Sequence, residues 1–297
     1  MRHALDLKEL AEEAPTVSET IEATKALVKY VKKTGIAALL SKTVNQMGDT
    51  RFSTAYLTLN SVRSVYQELR QKLEDRAESW WIDAVCPDVL YFLVEFLQPF
   101  YEAQCELEGD QYSTINLVLL WFEPLKRHCG KKTSDTPYQV IIRGRHLHWI
   151  LRKVEIKDLH RIATFLWPKY SQLRMLSASG RDDFHLEVRR QLSDHHTEEA
   201  STDPGEGPAP KKAAVYFEEW ENQPLANAGD EVEEYSTHNH VMQDDRDVLG
   251  WWREHHVTYP KLGVLARGIL AIPASSSSSE RNFSAAGRTN KLVMCRS

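Results

Sequence analysis

Apolar side chains recur at three- and four-residue spacing through the first 192 residues, a pattern that is typical of amphipathic helices. In the first clear case, Ile21, Val28 and Val31 share one helical face. The opposite face carries a row of lysines, namely Lys25, Lys29, Lys32 and Lys33. Gly35 follows as the predicted residue that closes this helix, because glycine readily adopts the left-handed conformation at that position.

The same periodicity predicts several more helices. They are a run from Leu57 to Leu69, a helix opened by Pro87, a helix capped by Ser113 or Thr114, and a stretch from Arg143 to Leu176 broken at Pro168. No strand-like alternation of useful length occurs before residue 193. We therefore predict a mainly α protein with a helical region over residues 1–192.

Residues 193–247 depart from this pattern and are strongly acidic. They hold 15 Asp and Glu against two Lys and one Arg, a net of −12 in a chain whose formal net charge is −5, so the remainder carries +7. The segment is rich in Pro and Gly around residues 202–210 and has too little apolar area to offset the entropy of ordering. We predict an acidic low-complexity loop. A positive body with an acidic insert is compatible with a polyanionic partner, and equally with none.

Periodicity resumes at Val248, and Leu262, Leu265, Ala266 and Ile269 form a helical stripe that Pro273 ends. The chain contains no apolar run near the roughly 20 residues that a membrane span needs. Charges within the first eight residues argue against a secretory signal. The four cysteines include no CxxC pair, and the histidine pairs lack accompanying ligands at zinc spacing, so we predict neither a disulfide framework nor a metal site.

The most distinctive stretch is residues 251–287, WWREHHVTYPKLGVLARGILAIPASSSSSERNFSAAG. It resembles the C-terminal dimerisation region of hAT superfamily DNA transposases, whose pattern is WW, then YP-x-L, A-x-x-x-L-x-I-P and S-S-x-x-S-E-R-x-F-S. Every anchor is present here: Trp251, Trp252, Tyr259, Pro260, Leu262, Ala266, Leu270, Ile272, Pro273, Ser275, Ser276, Ser279, Glu280, Arg281, Phe283 and Ser284. We therefore expect residues 248–297 to form a hAT dimerisation region.

Three weaker similarities to the family lie upstream in the same order. His3 to Leu7 resembles the tail of the family's C-x-x-H-x-L-N-L stretch, and Asp49 to Thr54 resembles its T-R-W-N-S segment, with Phe52 for tryptophan. Ile162 to Tyr170 resembles its A-x-x-L-D-P-R-F/Y segment, with Trp167 for aspartate. The resemblance implies a helical insertion bundle attached to the C-terminal remnant of an RNase H-like core, in a fragmentary or domesticated hAT transposase.

The resemblance also implies a chemistry. Family members cleave and transfer DNA strands with two divalent metal ions, Mg²⁺ or Mn²⁺, held by an Asp-Asp-Glu triad, and the glutamate corresponds to Glu280. Both family aspartates precede the segment similar to His3 to Leu7, so we expect them to be missing from this chain. One carboxylate cannot hold two hard cations. We therefore expect Glu280 to be vestigial, the chain to be no enzyme, and no cofactor to be bound; alternatively, Glu280 merely begins a helix.

DNA contact is a secondary expectation of the resemblance. The family tryptophan in the T-R-W-N-S segment is thought to stack on a flipped base, so Phe52 is a candidate stacking residue and Arg51 a candidate phosphate contact. Lys25 and Lys29 are candidates for a DNA groove. The alternatives are a buried Phe52 and a solvated lysine face. By family resemblance we expect a nuclear protein.

The large apolar side chains of the tail must be buried somewhere, either within the chain or against a second copy. We prefer the second copy, because the family strands that usually pack on this element are expected to be missing. The predicted dimerisation residues are Trp251, Trp252, Tyr259, Pro260, Leu262, Leu265, Ala266, Ile269, Leu270 and Phe283. The expected partner is the chain itself or a related transposase-derived protein. The alternative reading is an active hAT transposase of which this sequence is one portion.

Overall fold

The computed structural model describes residues 2–48, 52–199 and 230–276, with the backbone alone described at residues 2, 3, 52 and 194–199. Within these ranges the chain is helical and contains no strand. The helices are α1 Leu7–Glu13, α2 Pro15–Lys33, α3 Phe52–Ser64, α4 Tyr66–Glu74, α5 Trp80–Asp83, α6 Pro87–Leu107, α7 Leu117–His128, α8 Pro137–Lys153, α9 Asp158–Phe165, α10 Ala178–Glu199, α11 Glu231–Thr237, α12 Val248–His255 and α13 Pro260–Leu270. None of them combines the length and apolarity that crossing a bilayer requires.

The chain divides into two compact units. The first comprises Met1–Glu106 and Leu120–Glu155, and the second comprises Leu107–Leu119 and Ile156–Ser297. The mainly α prediction is confirmed for the described residues. Helices are the regular secondary structure of the described part of residues 1–192, and these residues contribute to both units.

Helix α2 shows how the periodicity builds the first unit. Its apolar face is buried, including Ile21, Val28 and Val31, whereas Lys29 is exposed and Lys25 is half-buried. The helix ends as predicted, because Gly35 has a φ of +76° directly after the last helical turn. The burial thus follows from the sequence pattern, and the glycine sets where the helix stops.

The core of the first unit gathers side chains from most of its helices. Arg145 on α8 ties the amino-terminal segment to this core, donating to the carbonyl of Ala4 at 3.1 Å and to the carboxylates of Glu13, at 2.9 Å, and Glu9. The Cys129 thiol is only 2% exposed, and burial raises its pKa to about 12. The hydrogen bonds of Arg145 join segments that lie more than 130 residues apart in the sequence.

A buried histidine lies in the same core. His146 is fully buried on α8, and its Nδ1 lies 2.8 Å from the carbonyl oxygen of Ile142. Its ring meets Phe96 edge-on, at 4.9 Å between centroids, and lies 5.3 Å from Phe100. The Nε2 atom has no hydrogen-bond partner among the described residues. Burial in these apolar surroundings lowers the pKa of His146 from 6.5 to about 4.

Several predictions need correction. The predicted acidic loop over residues 193–247 is wrong at both ends, because α10 extends to Glu199 and α11 begins at Glu231. Ser113 and Thr114 do not cap the next helix, which begins at Leu117; the Thr114 hydroxyl instead accepts a hydrogen bond from the Ala274 backbone at 2.9 Å. At the start of α11 and at Thr114, the structure shows tertiary contacts that local periodicity does not report.

Candidate functional site

The carboxy-terminal helices α11, α12 and α13 form the candidate site, and they belong to the second unit. Helix α13 begins at Pro260, a favourable first residue, but its own N-cap residue Tyr259 supplies no side-chain hydrogen bond. The Glu231 carboxylate fills that role by accepting the backbone N–H groups of Lys261 and Leu262, each at 3.0 Å. A negative charge at a helix N-terminus is stabilising, so α11 and α13 are joined at this point.

Five aromatic side chains pack around one tyrosine in this region. Tyr235 on α11 is fully buried, and we name the group the Tyr235 cluster. Its ring centroid lies within 6.0 Å of those of Phe165, His240, Trp251, Trp252 and Tyr259. Offset and edge-to-face packing at these distances adds stability beyond area burial. The Tyr235 cluster therefore holds α9, α11, α12 and the start of α13 together.

Hydrogen bonds fix only some of the polar atoms in the Tyr235 cluster. The Trp252 Nε1 donates to the Leu166 carbonyl at 2.6 Å, and the His240 Nε2 lies 2.7 Å from the Tyr235 carbonyl oxygen. The Tyr235 hydroxyl and the Trp251 Nε1 have no partner among the described residues. Burial raises the pKa of the Tyr235 hydroxyl well above its usual value, and burial lowers the pKa of His240. The cluster is thus a largely apolar core.

The structure buries most of the predicted dimerisation residues within the same chain. Buried are Trp251, Trp252, Tyr259, Leu262, Leu265, Ala266, Ile269 and Leu270. Pro260 is exposed, and Phe283 lies outside the described residues. The argument that these side chains need a second copy for burial is therefore wrong, because α9, α10 and α11 already cover them. Their role in dimerisation stays a prediction.

Two residues that position the site were missed from the sequence. Glu231 and Tyr235 fell within the predicted acidic loop, because charge dominates that stretch. A local signal existed: Asp230 caps α11 by accepting the Val232 N–H at 3.2 Å, and Val232 and Tyr235 lie three residues apart on one face. A helix of seven residues is too short for periodicity alone to identify.

The other predicted site residues lie elsewhere or outside the described ranges. Lys25 and Lys29 lie on α2 in the first unit. Arg51 and Glu280 fall outside the described residues, and of Phe52, the first residue of α3, only the backbone is described. The proposed nucleic-acid contacts therefore stay predictions.

The divalent metal ions of the family chemistry need several carboxylates in one place. Within residues 2–48, 52–199 and 230–276, no group of three or more His, Cys, Asp or Glu side chains is close enough to hold a metal ion. The donor set among these residues does not fit such a centre, so no catalytic step through a metal ion follows from them.

Residues 231–292 match the hAT family C-terminal dimerisation region. The carboxy-terminal part of the chain therefore resembles the dimerisation region of hAT transposases, as the motif in residues 251–287 predicted. Two proteins of Zea mays are similar to it. A presumed AC transposase is 25% identical over 327 residues, covering 92% of this chain and 38% of that protein. A presumed AC9 transposase is 24% identical over 266 residues, covering 78% and 29%. The chain thus spans about a third of the length of these relatives.

Proposed function

We propose that this hAT transposase-related chain functions by self-association through its carboxy-terminal region. The observation that carries the proposal is the match of residues 231–292 to the hAT dimerisation region. The described part of that region adds support, because the Tyr235 cluster and the Glu231 cap make α11, α12 and α13 a packed platform. A platform that is internally ordered can bind a partner without a further cost of ordering.

Sedimentation velocity across a wide concentration series tests this proposal. We expect the average mass to rise from that of the 34.2 kDa chain towards twice that value as the concentration increases. A single monomer boundary at every concentration would exclude self-association. As a control, a fluorescently labelled sample of the chain is mixed with an excess of unlabelled chain. The unlabelled copies should displace labelled copies from the complex.

DNA binding is a further part of the proposal, supported by the relatives' names and by the lysine face of α2, on which Lys29 is exposed and Lys25 half-buried. Fluorescence anisotropy with duplex DNA should give an affinity that falls steeply with salt, because bound lysines release counterions. Replacing Lys25 and Lys29 by glutamate should weaken binding, whereas the matched change at exposed Lys8 should not. Equal affinity of all three proteins would remove these lysines from the DNA contact.

The second candidate function is metal-dependent DNA cleavage and strand transfer by a longer hAT transposase of which this sequence is one portion. The observation that favours it is coverage of 38% and 29% of relatives that are themselves named as transposases. For this chain alone we propose no enzymatic activity and no bound cofactor. Nicking assays with Mg²⁺ or Mn²⁺ should give no product, and Glu280→Gln should match the parent. Metal-dependent nicking that Glu280→Gln abolishes would instead support the second candidate.

We also propose that the protein acts in the nucleus, where a transposase-derived protein would meet chromosomal DNA. A fluorescent fusion of the whole chain should accumulate there. Uniform distribution between cytoplasm and nucleus at low expression would count against this placement.

A further inference from the structure

The outer face of α12 forms one wall of a groove with a volume of about 500 Å³. Helix α13 forms the opposite wall through Gly263 and Arg267, and the side chain of Trp252 contributes to the lining. Leu249 on α12 also lines the groove and is 44% exposed, although the other large apolar side chains of this helix are buried. Because the Tyr235 cluster is already covered within the chain, this groove is the open part of the described dimerisation region.

The groove carries charged side chains that have no ionic partner among the described residues. Arg253 and Arg267 are exposed and line it, and neither forms an ion pair or a side-chain hydrogen bond with any described residue. By contrast, Arg161 and Arg189 in the same unit pair with Asp158 and Asp230. The groove also holds one carboxylate, Asp247, which accepts the Gly250 N–H at 2.8 Å but has no cationic partner among the described residues.

The arrangement of these charges is self-complementary. Asp247 and Arg253 each lie three residues from Gly250, on the side of α12 that lines the groove. At 1.5 Å per residue they stand about 9 Å apart along the helix axis, with the glycine midway. If two copies of α12 cross antiparallel at Gly250, Arg253 meets Asp247 of the partner subunit, and the reciprocal pair forms at the same time. Such reciprocity is what a two-fold symmetric interface requires.

Gly250 lies midway between these two charged residues, where it is buried and the Asp247 carboxylate covers it. Glycine is unfavourable inside a helix, so its presence in an eight-residue helix needs a reason. Within the chain, a Cβ at this position would meet the Asp247 carboxylate that caps the helix. The glycine therefore leaves room for the Asp247 carboxylate on the face of α12 that meets the second copy. Leu249 and Val264, 44% and 49% exposed, supply apolar surface on α12 and α13.

We propose that α12 docks antiparallel on α12 of a second copy of this chain, with Gly250 at the two-fold axis and reciprocal Arg253–Asp247 pairs on either side. This inference rests on the proposed self-association and specifies the surface that mediates it. The buried tryptophans then support the interface from beneath, and of the two only Trp252 also lines the groove.

Charge reversal at Arg253 tests the pairing. Arg253→Glu places two carboxylates opposite each other at both symmetric contacts, so we expect the dissociation constant of the dimer to rise by about tenfold or more. Arg152→Glu makes the same charge change at an exposed site in the first unit and should leave the dimer unchanged. Circular dichroism and thermal unfolding check that both variants remain folded, which is expected because both side chains are exposed.

A mixing experiment separates this surface from other surfaces. Asp247→Lys alone should also self-associate weakly, whereas an equimolar mixture of Arg253→Glu and Asp247→Lys restores both pairs and should form a heterodimer. Asp247→Asn retains a capping side chain and controls for loss of the helix cap. Restored association in the mixture supports the proposal. If the parent dimerises and Arg253→Glu dimerises equally well, the inference fails while the proposed function stands; a monomeric parent overturns both.

Discussion

Acidification should destabilise the first unit through His146. Its pKa lies at about 4 in the folded chain against 6.5 as the reference value, so between these values the unfolded state binds the extra proton. The free energy of unfolding therefore falls as pH decreases from about 6.5 towards 4. For a single site with these two values, the loss at pH 4.5 is about 2 to 3 kcal/mol, and it approaches about 3 kcal/mol at lower pH.

The loss of stability on acidification follows from the surroundings of the His146 Nε2 atom. In the neutral ring, the Nδ1–H group donates to the Ile142 carbonyl. The Nε2 atom then carries no hydrogen and needs no hydrogen-bond acceptor. Protonation places a second N–H at Nε2, beside Phe96 and Phe100, with no described acceptor in reach. A buried cation without a hydrogen-bond acceptor is strongly disfavoured.

Urea unfolding at pH 7 and pH 4.5 measures the effect. His146→Leu replaces the titrating group by an apolar side chain of similar size, so the variant should lose about 2 to 3 kcal/mol less than the parent between the two pH values. His148→Leu removes an exposed histidine from the same helix and should follow the parent. In the native parent, the His146 ring followed by NMR should stay neutral at pH 5. Equal losses in parent and His146→Leu, or a ring that titrates near 6.5, would refute the burial argument.

Three further changes test the packing of individual elements, each by urea unfolding at pH 7. Tyr235→Phe should leave the free energy of unfolding unchanged or raise it, because it removes a buried hydroxyl that has no partner among the described residues. Tyr235→Ala should lower the free energy of unfolding by about 3 to 5 kcal/mol. A clear loss of stability in Tyr235→Phe would mean that the hydroxyl has a hydrogen-bond partner after all. Glu231→Ala should cost about 1 kcal/mol by uncapping α13, and no loss would mean that solvent caps it equally well. Gly35→Ala should cost about 1 kcal/mol and Gly35→Asn less, because asparagine tolerates a positive φ better.

The sequence predicted those parts of the fold that local periodicity determines. Helix α2, its buried stripe and its termination at Gly35 follow from spacing and from the conformational freedom of one glycine. Helix α11 could not be predicted in the same way, because it is short, acidic and stabilised by contacts with distant residues such as Arg189. Local pattern therefore identified α2 and α6 but not the end of α10, nor the short helix that organises the candidate site.

The candidate site, too, could be predicted only in part from the sequence. The motif in residues 251–287 correctly indicated the family, because spacing of many anchors is a property of the sequence itself. It did not indicate which side of the helices faces outward. Trp251 and Trp252 are buried, whereas Leu249 is exposed, and this depends on where α9 and α11 pack. Burial inside the chain and burial against a partner give the same hydrophobic pattern in a sequence.

The buried thiol of Cys129 provides a native chemical probe of local opening in the first unit. Only the thiolate attacks an alkylating reagent, and a pKa of about 12 with 2% exposure leaves almost none available in the closed state. Exposed Cys105 reacts independently of such motions and serves as an internal reference. When opening is rare and closing is fast, the labelling rate of Cys129 gives the free energy of local opening without denaturant or an added probe.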